Sequence, residues 1–311
     1  MTTAWVFPGQ GSQYVGMARD LYETFSSARA VIDDADAVLG FALSKLMFEG
    51  PETELTDTLN AQPALLTHSI AALAALQQAT NFQIENAAVC AGHSLGEYSA
   101  LVAAGALDFA DGVKLVRARG AAMQRAGAVR PGAMAAILGV NDDKLLEICH
   151  QAGAVQVANF NAPGQIVLSG EKEALERAVE LAKQAGAKRA ILLAVSIAAH
   201  SELMRPAVDE FRAAVMHTPL RAPRVPVISN VTAQPMTDTD AIRADMLAQL
   251  TSSVQWVKSV QVMEAQGVSS FLEIGPKDVL TGLNKRIAKS ASTRPIGTVE
   301  NIQKFAEESA Q

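Results

Sequence analysis

The sequence predicts an α/β protein, a larger α/β body with a small ferredoxin-like α+β unit inserted into it. Three observations carry that expectation. A short apolar run, Trp5-Val6-Phe7, ends in the Gly-rich turn Pro8-Gly9-Gln10-Gly11-Ser12-Gln13. A second apolar run, 87–90, leads into Gly92-His93-Ser94-Leu95-Gly96 and then into a helix-forming stretch. From about residue 132 to residue 195 the apolar pattern follows the order β-α-β-β-α-β of a ferredoxin-like unit. The body is expected to take in 1–127 and 196–311, and the insert 128–195.

The elements follow in order. Residues 5–7 read as a strand. Helical periodicity over 18–39 leaves a polar outer face, while 62–78 is apolar almost all round, the pattern of a central buried helix. A strand at 87–90, a helix at 95–104 and a helix at 109–126 come next, the last carrying Arg117 and Arg119. In the insert, strands are expected at 134–140, 155–159, 165–169 and 189–195, with helices at 142–151 and 171–185. Asn161-Ala162-Pro163-Gly164 separates the middle pair as a turn. The body resumes at about Ser196 with a Pro-rich strand region at 219–230, a helix at 240–250 and a strand at 271–274. After residue 290 no element stands out.

Composition bounds the function. With 311 residues, 49% of them hydrophobic, the chain can bury a sizeable core. A net charge of −6 argues against a nucleic-acid surface, though a local basic patch can still steer an acidic partner. Cys90 and Cys149 make no disulfide framework, and no Cys/His spacing suits a metal. This usage fits a reducing cytoplasm, with a monomer as the default. The apolar runs 61–79 and 88–107 contain Gln62, His68, His93 and Glu97, which lipid would penalise, so they read as buried elements rather than membrane spans. The first seven residues lack the basic start of a signal peptide.

A Gly-x-Ser-x-Gly between a strand and a helix is a nucleophile-elbow pattern. The tight turn holds the serine hydroxyl above the sheet edge, and the helix N-terminus offers free N–H groups to an oxyanion. The plainer reading is a Gly-rich helix start capped by Ser94. A serine nucleophile needs a base. His93 should diverge from its neighbour Ser94. His68 sits in a buried helix, His150 near a helix end in the insert, and His217 at a helix exit. His200, in an irregular loop just past a strand, remains as the base. The group orienting it stays open among Asp209, Asp238, Asp245, a backbone carbonyl and the amide of Gln249.

Several segments together resemble the malonyl-CoA:acyl-carrier-protein transacylases and related acyltransferase domains. They are Phe7-Pro8-Gly9-Gln10-Gly11-Ser12-Gln13, Gln62-Pro63-Ala64, Gly92-His93-Ser94-Leu95-Gly96-Glu97-Tyr98 and Arg119-Gly120. Gly132-Ala133-Met134-Ala135-Ala136, Asn159-Phe160-Asn161-Ala162-Pro163-Gly164-Gln165, His200, Gln249 and Gly275-Pro276 continue the set in the family's order. The resemblance implies a hydrolase-like parallel-sheet body with a ferredoxin-like insert. It also implies an oxyanion hole from the backbone N–H groups of Gln10 and Leu95, and a clamp for malonyl's free carboxylate at Arg119. Gln62 and Gln249 are implied as site amides, and Asn159 and Asn161 as a loop on the insert side of the cleft. Turn-making is the plainer role of those two asparagines. Acyl carrier proteins are acidic, and Lys285-Arg286 resembles a basic pair the family places at the entrance; a solvated helix end is the plainer alternative.

The implied reaction carries malonyl from malonyl-CoA to the carrier's phosphopantetheine thiol, with no metal or redox cofactor. An acyl hydrolase or thioesterase on the same serine and histidine, and a silent synthase scaffold, are the alternatives. Ala198 and Ala199 depart from the family's usual residues before the histidine, and a smaller loop there would widen the acyl pocket. Lys277-Asp278 departs from the usual small residues after Gly275-Pro276.

Overall fold

The computed structural model describes residues 2–193, 195 and 197–309. The N-terminal part of the body runs β1 (Thr3–Phe7), α1 (Arg19–Thr24), α2 (Ser26–Leu39), α3 (Leu43–Glu49), α4 (Glu52–Thr56) and α5 (Thr58–Ala79). β2 (Ala87–Gly92), α6 (Gly96–Ala103) and α7 (Phe109–Val129) follow. Next come β3 (Ala133–Leu138), α8 (Asp142–Ala152), β4 (Val155–Ala162), β5 (Gln165–Gly170), α9 (Lys172–Gln184) and β6 (Arg189–Leu192). The remainder runs α10 (Arg205–His217), β7 (Val227–Ile228), β8 (Pro235–Met236), α11 (Thr239–Ala248), α12 (Trp256–Ala265) and β9 (Ser270–Ile274). It ends with α13 (Val279–Ile287), β10 (Ser292–Ile296) and α14 (Val299–Ser309).

Two sheets organise these elements. The larger has the order β10-β9-β1-β2-β7-β8, parallel except for β8, which runs antiparallel to β7. β1 and β2 sit at its centre and are almost wholly buried, as strands covered on both faces must be. The smaller sheet is antiparallel throughout, in the order β4-β5-β3-β6, the arrangement a ferredoxin-like unit gives. Its helices α8 and α9 bury Leu145, Ile148, Leu175 and Val179 in a core separate from that of the body. β4 is also joined to the body, because Phe160 N–H donates to the Val254 carbonyl at 2.9 Å and Val254 N–H to that of Ala158 at 2.8 Å.

The central helix α5 is buried almost throughout, as its uniformly apolar pattern predicts. Pro63 lies inside it and cannot donate to the Leu59 carbonyl. Arg117 takes that carbonyl at 3.4 Å and stacks its guanidinium over Phe41, which gives it a structural place.

Several expectations need correction. The helix expected at 18–39 is two helices, broken at Phe25, whose backbone is extended. The break lets Phe25 enter the core, and Gln78 of α5 accepts from the Ser27 N–H that starts the second helix. The Pro-rich region 219–230 supplies only the two-residue β7, since Pro219, Pro223 and Pro226 have no N–H for a ladder. The last insert strand ends at Leu192 rather than 195. Ala194, within that expected strand, and Ser196, where the body was expected to resume, lie outside the described residues. Beyond 290, β10 is a half-exposed edge strand that tolerates Pro295, so its pattern is weak. Helices α3, α4, α12 and α14 and strand β8 are additional elements.

Candidate active site

The site stands at the carboxyl ends of β1 and β2. A Cβ on Gly96 would lie 2.0 Å from the Phe7 carbonyl oxygen, and one on Gly9 would lie 2.3 Å from that of His93. Only glycine lets the N-terminal loop and the serine turn approach this closely. Ser94 itself is left-handed, with φ 52°. Its N–H donates to Asn230 Oδ1 at 2.7 Å, and Asn230 Nδ2 donates to the Gly92 carbonyl at 2.6 Å. One buried amide thus holds the strained turn from both sides. Leu95 at the N-terminus of α6, and Gln10 in the adjoining loop, have N–H groups that no backbone carbonyl takes among the described residues. The Gln10 side chain turns aside to accept from Thr58 Oγ1 at 3.2 Å.

His200 meets the serine with Nε2 2.8 Å from Ser94 Oγ. Its Nδ1 lies 2.8 Å from the Gln249 carbonyl oxygen, which can only accept, so Nδ1 carries the hydrogen and Nε2 the lone pair. The orienting group is therefore this backbone carbonyl, while Asp238 caps α11. His200 is left-handed too, at φ 60°. Gln156 Nε2 donates to its carbonyl at 3.1 Å. Burial, reinforced by the Arg119 cation, pushes the His200 pKa down to about 3, so the ring is neutral at ordinary pH.

Arg119 projects from α7 and is 2% exposed. Nη1 donates to Gln62 Oε1 at 2.9 Å, and Nη2 to Gln249 Oε1 at 2.8 Å and to Ser94 Oγ at 3.2 Å. The guanidinium lies over the Tyr98 ring, 5.5 Å from its centroid. No carboxylate is hydrogen-bonded to it among the described residues, so a buried cation points at the serine with neutral partners only.

These groups border a cavity of about 850 Å³ whose lining includes Gln10, Ser94, Leu95, Arg119 and His200. Asn159 and Asn161 line it as well, but from strand β4 rather than from a loop. Pairing continues to Ala162 opposite Gln165, confining the turn to Pro163-Gly164, and register shifts around Ala158 and Asn161 re-aim the strand. Asn161 Oδ1 accepts from His93 Nε2 at 2.8 Å, which turns the His93 ring away from Ser94 as expected. Ala199 lines the cavity, whereas Ala198 is buried against Gly132, so only Ala199 can widen the acyl space.

Lys285 and Arg286 are exposed in the last turn of α13, whose first turns line the cavity through Val279, Leu280 and Leu283. Arg286 is engaged with Gln165 Oε1 and, at 2.8 Å, with the Pro163 carbonyl, tying α13 to the β4–β5 turn. Asn230 is the site residue that sequence reasoning missed. It stands two residues after the buried pair Val227-Ile228, just past the carboxyl end of a strand beside β2.

Among the described residues, no group of three or more His, Cys, Asp or Glu could hold a metal, and no helix is long and apolar enough to cross a membrane. A family model described as an acyl transferase domain matches residues 4–307. The malonyl CoA-acyl carrier protein transacylase of Escherichia coli K12 is 48% identical over 287 residues, covering 91% of this chain and 92% of that protein. Its Bacillus subtilis counterpart is 46% identical over 307 residues, covering 96% and 95%. The structure superposes with a TM-score of 0.96 on an acyl-carrier-protein-S-malonyltransferase from Bartonella henselae, 44% identical with full coverage of both chains. A malonyl-transacylase solved in complex with its type II PKS acyl-carrier protein gives a TM-score of 0.94 at 41% identity, covering 99% of this chain and 100% of that one.

Proposed function

The chain belongs to the acyl transferase domain family, and on that premise we propose that it moves malonyl from malonyl-CoA to the phosphopantetheine thiol of an acyl carrier protein through a malonyl ester on Ser94. The observation carrying this reading is one contact set: Ser94 Oγ lies 2.8 Å from a neutral His200 Nε2 and 3.2 Å from the buried Arg119 Nη2. A nucleophile, its base and a fixed cation for a second acyl charge therefore meet at one oxygen.

In the first half-reaction His200 Nε2 accepts the hydroxyl proton as Ser94 Oγ attacks the thioester carbon. The oxyanion is held by the free N–H groups of Gln10 and Leu95. The intermediate collapses, the carbon–sulfur bond breaks, and His200 returns the proton to the departing coenzyme A thiolate. In the second, His200 takes the proton of the carrier's thiol, its sulfur attacks the ester, and the proton ends on Ser94 Oγ. Arg119 binds the malonyl carboxylate through its N–H groups, with Gln62 and Gln249 fixing the guanidinium plane. Asn159 and Asn161 line the acyl and pantetheine path.

The steps call on no metal or redox cofactor. Lys285 and Arg286, exposed at the end of the helix whose first turns line the cavity, supply positive charge for the acidic carrier. We read the body as 1–127 and 196–311 with the insert 128–195, acting as a cytoplasmic monomer. Incubation with labelled malonyl-CoA, with and without holo carrier, tests the reading. Label on the carrier is expected; free malonate and an unloaded carrier would mark a hydrolase, and no reaction at all a silent scaffold.

A further inference from the structure

Nothing in the Ser94, His200 and Arg119 chemistry requires a buried carboxylate, yet Glu97, three residues after the nucleophile, is wholly buried. Its two oxygens are met by donors. Oε1 accepts from Gln249 Nε2 at 2.9 Å. Oε2 accepts from the Asn230 backbone N–H at 2.7 Å and also from Asn230 Nδ2. Asp245 faces Glu97 from α11, and among the described residues no other donor reaches its Oδ2. Burial, with Asp245 beside it, raises the Glu97 pKa well above the usual carboxylate range. A proton on Glu97 is directed to Asp245, since its other neighbours all donate. The lone pairs facing Gln249 and Asn230 stay in place in either protonation state.

The consequence falls on Gln249. A glutamine amide has an accepting end and a donating end, and only one orientation suits Arg119. Glu97 Oε1 accepts from Gln249 Nε2 at 2.9 Å and the Ser94 carbonyl oxygen accepts from the same nitrogen at 3.2 Å, so the amide oxygen is turned to Arg119 Nη2, 2.8 Å away. The same residue holds His200 through its backbone carbonyl. We propose that Glu97 is a positioning residue for acyl selectivity, its carboxylate fixing the Gln249 amide so that Arg119 stays aimed at the acyl carboxylate. The inference rests on the reading of Arg119 as the malonyl clamp.

Glu97→Gln tests it with almost no change in shape. The new amide oxygen is claimed by the two Asn230 donors, so its NH2 faces Gln249. Gln249 then faces donors at both position 97 and the guanidinium, so no single orientation of its amide serves both, and the acceptor that held Arg119 is no longer fixed. The malonyl-CoA KM is expected to rise about tenfold or more, the effect of one misdirected charged hydrogen bond, with the acetyl-CoA KM and capture of Ser94 by a fluorophosphonate little changed. Arg119→Ala is measured alongside. If it is selective against malonyl while Glu97→Gln weakens both acyl groups equally, or neither, the proposal is overturned. If Arg119→Ala itself shows no selectivity, the clamp reading has failed instead. A polarity swap then decides the role of Glu97 by itself. Gln249→Glu sets two carboxylates face to face, whereas Glu97→Gln combined with Gln249→Glu restores a donor and an acceptor. The double variant is expected to melt above either single one, and a double variant no more stable than the singles refutes the relay even if Glu97→Gln fails to fold alone.

Discussion

Replacing Arg119 with alanine tests how the site chooses its acyl group. The guanidinium needs no ordering when substrate arrives, because Gln62 and Gln249 already fix it from both sides. Two of its four terminal N–H groups are committed to those amides and a third to Ser94 Oγ. Among the described residues one terminal N–H, besides Nε–H, is thus without a partner in the resting site, and a second terminal N–H is released when Ser94 is acylated. One to two charge-assisted hydrogen bonds to malonyl are lost in the variant. At about 1.5–3 kcal/mol each, with partial compensation by water, the loss is about 2–4 kcal/mol, or about thirty- to a thousandfold in kcat/KM. Acetyl transfer makes neither bond and should be spared or improved. The assay is loading of a purified holo carrier from malonyl-CoA and acetyl-CoA in parallel, followed by mass spectrometry. The variant should also melt lower, since two buried amide oxygens lose their donor, so rates are compared well below that temperature. Equal loss of malonyl and acetyl transfer would refute the assignment of Arg119 as a carboxylate clamp.

Other consequences are as direct. With His200 neutral down to about pH 3, capture of Ser94 by a fluorophosphonate should stay level from pH 8 to below 6. A fall centred near pH 6.5 would show an ordinary histidine instead. His68 is wholly buried, bonded to the Gly297 carbonyl, and its pKa is lowered by burial to about 4. The unfolded chain, with a value near 6.5, binds its proton first, so this contribution to stability is complete above about pH 6.5 and lost as pH falls toward 4. His68→Gln should flatten the decline in unfolding free energy across that window, by up to about 3 kcal/mol; an unchanged slope would count against it. Lys285→Glu should raise the KM for the carrier, more at low salt than at high, and leave the malonyl-CoA KM alone. A change in the malonyl-CoA KM of similar size would place Lys285 in the acyl site.

The sequence made the elbow legible because its chemistry is local: strand, Gly-x-Ser-x-Gly and helix are adjacent in the chain. His200 was found by elimination, since each other histidine falls in a pattern that gives it another place. The insert was legible through its alternation of periods, which the antiparallel order β4-β5-β3-β6 matches. What stayed hidden depends on long-range pairing. Asn230 reaches the Ser94 N–H from 136 positions away, and no local pattern distinguishes it from a turn asparagine. The group orienting His200 is a backbone carbonyl, which carries no side-chain identity to read. The loop expected at Asn159 and Asn161 came from the family resemblance, whereas the ladder runs on to Ala162 and closes directly around Pro163-Gly164.

In the proposed reaction the acyl group rests on Ser94 between donor and acceptor. Intact-protein mass spectrometry after brief exposure to malonyl-CoA, followed by peptide mapping, tests it most directly. One malonyl group is expected on the peptide containing Ser94, absent from Ser94→Ala and discharged when holo carrier is added. A carrier loaded at full rate by Ser94→Ala, or an adduct on another residue, would contradict it.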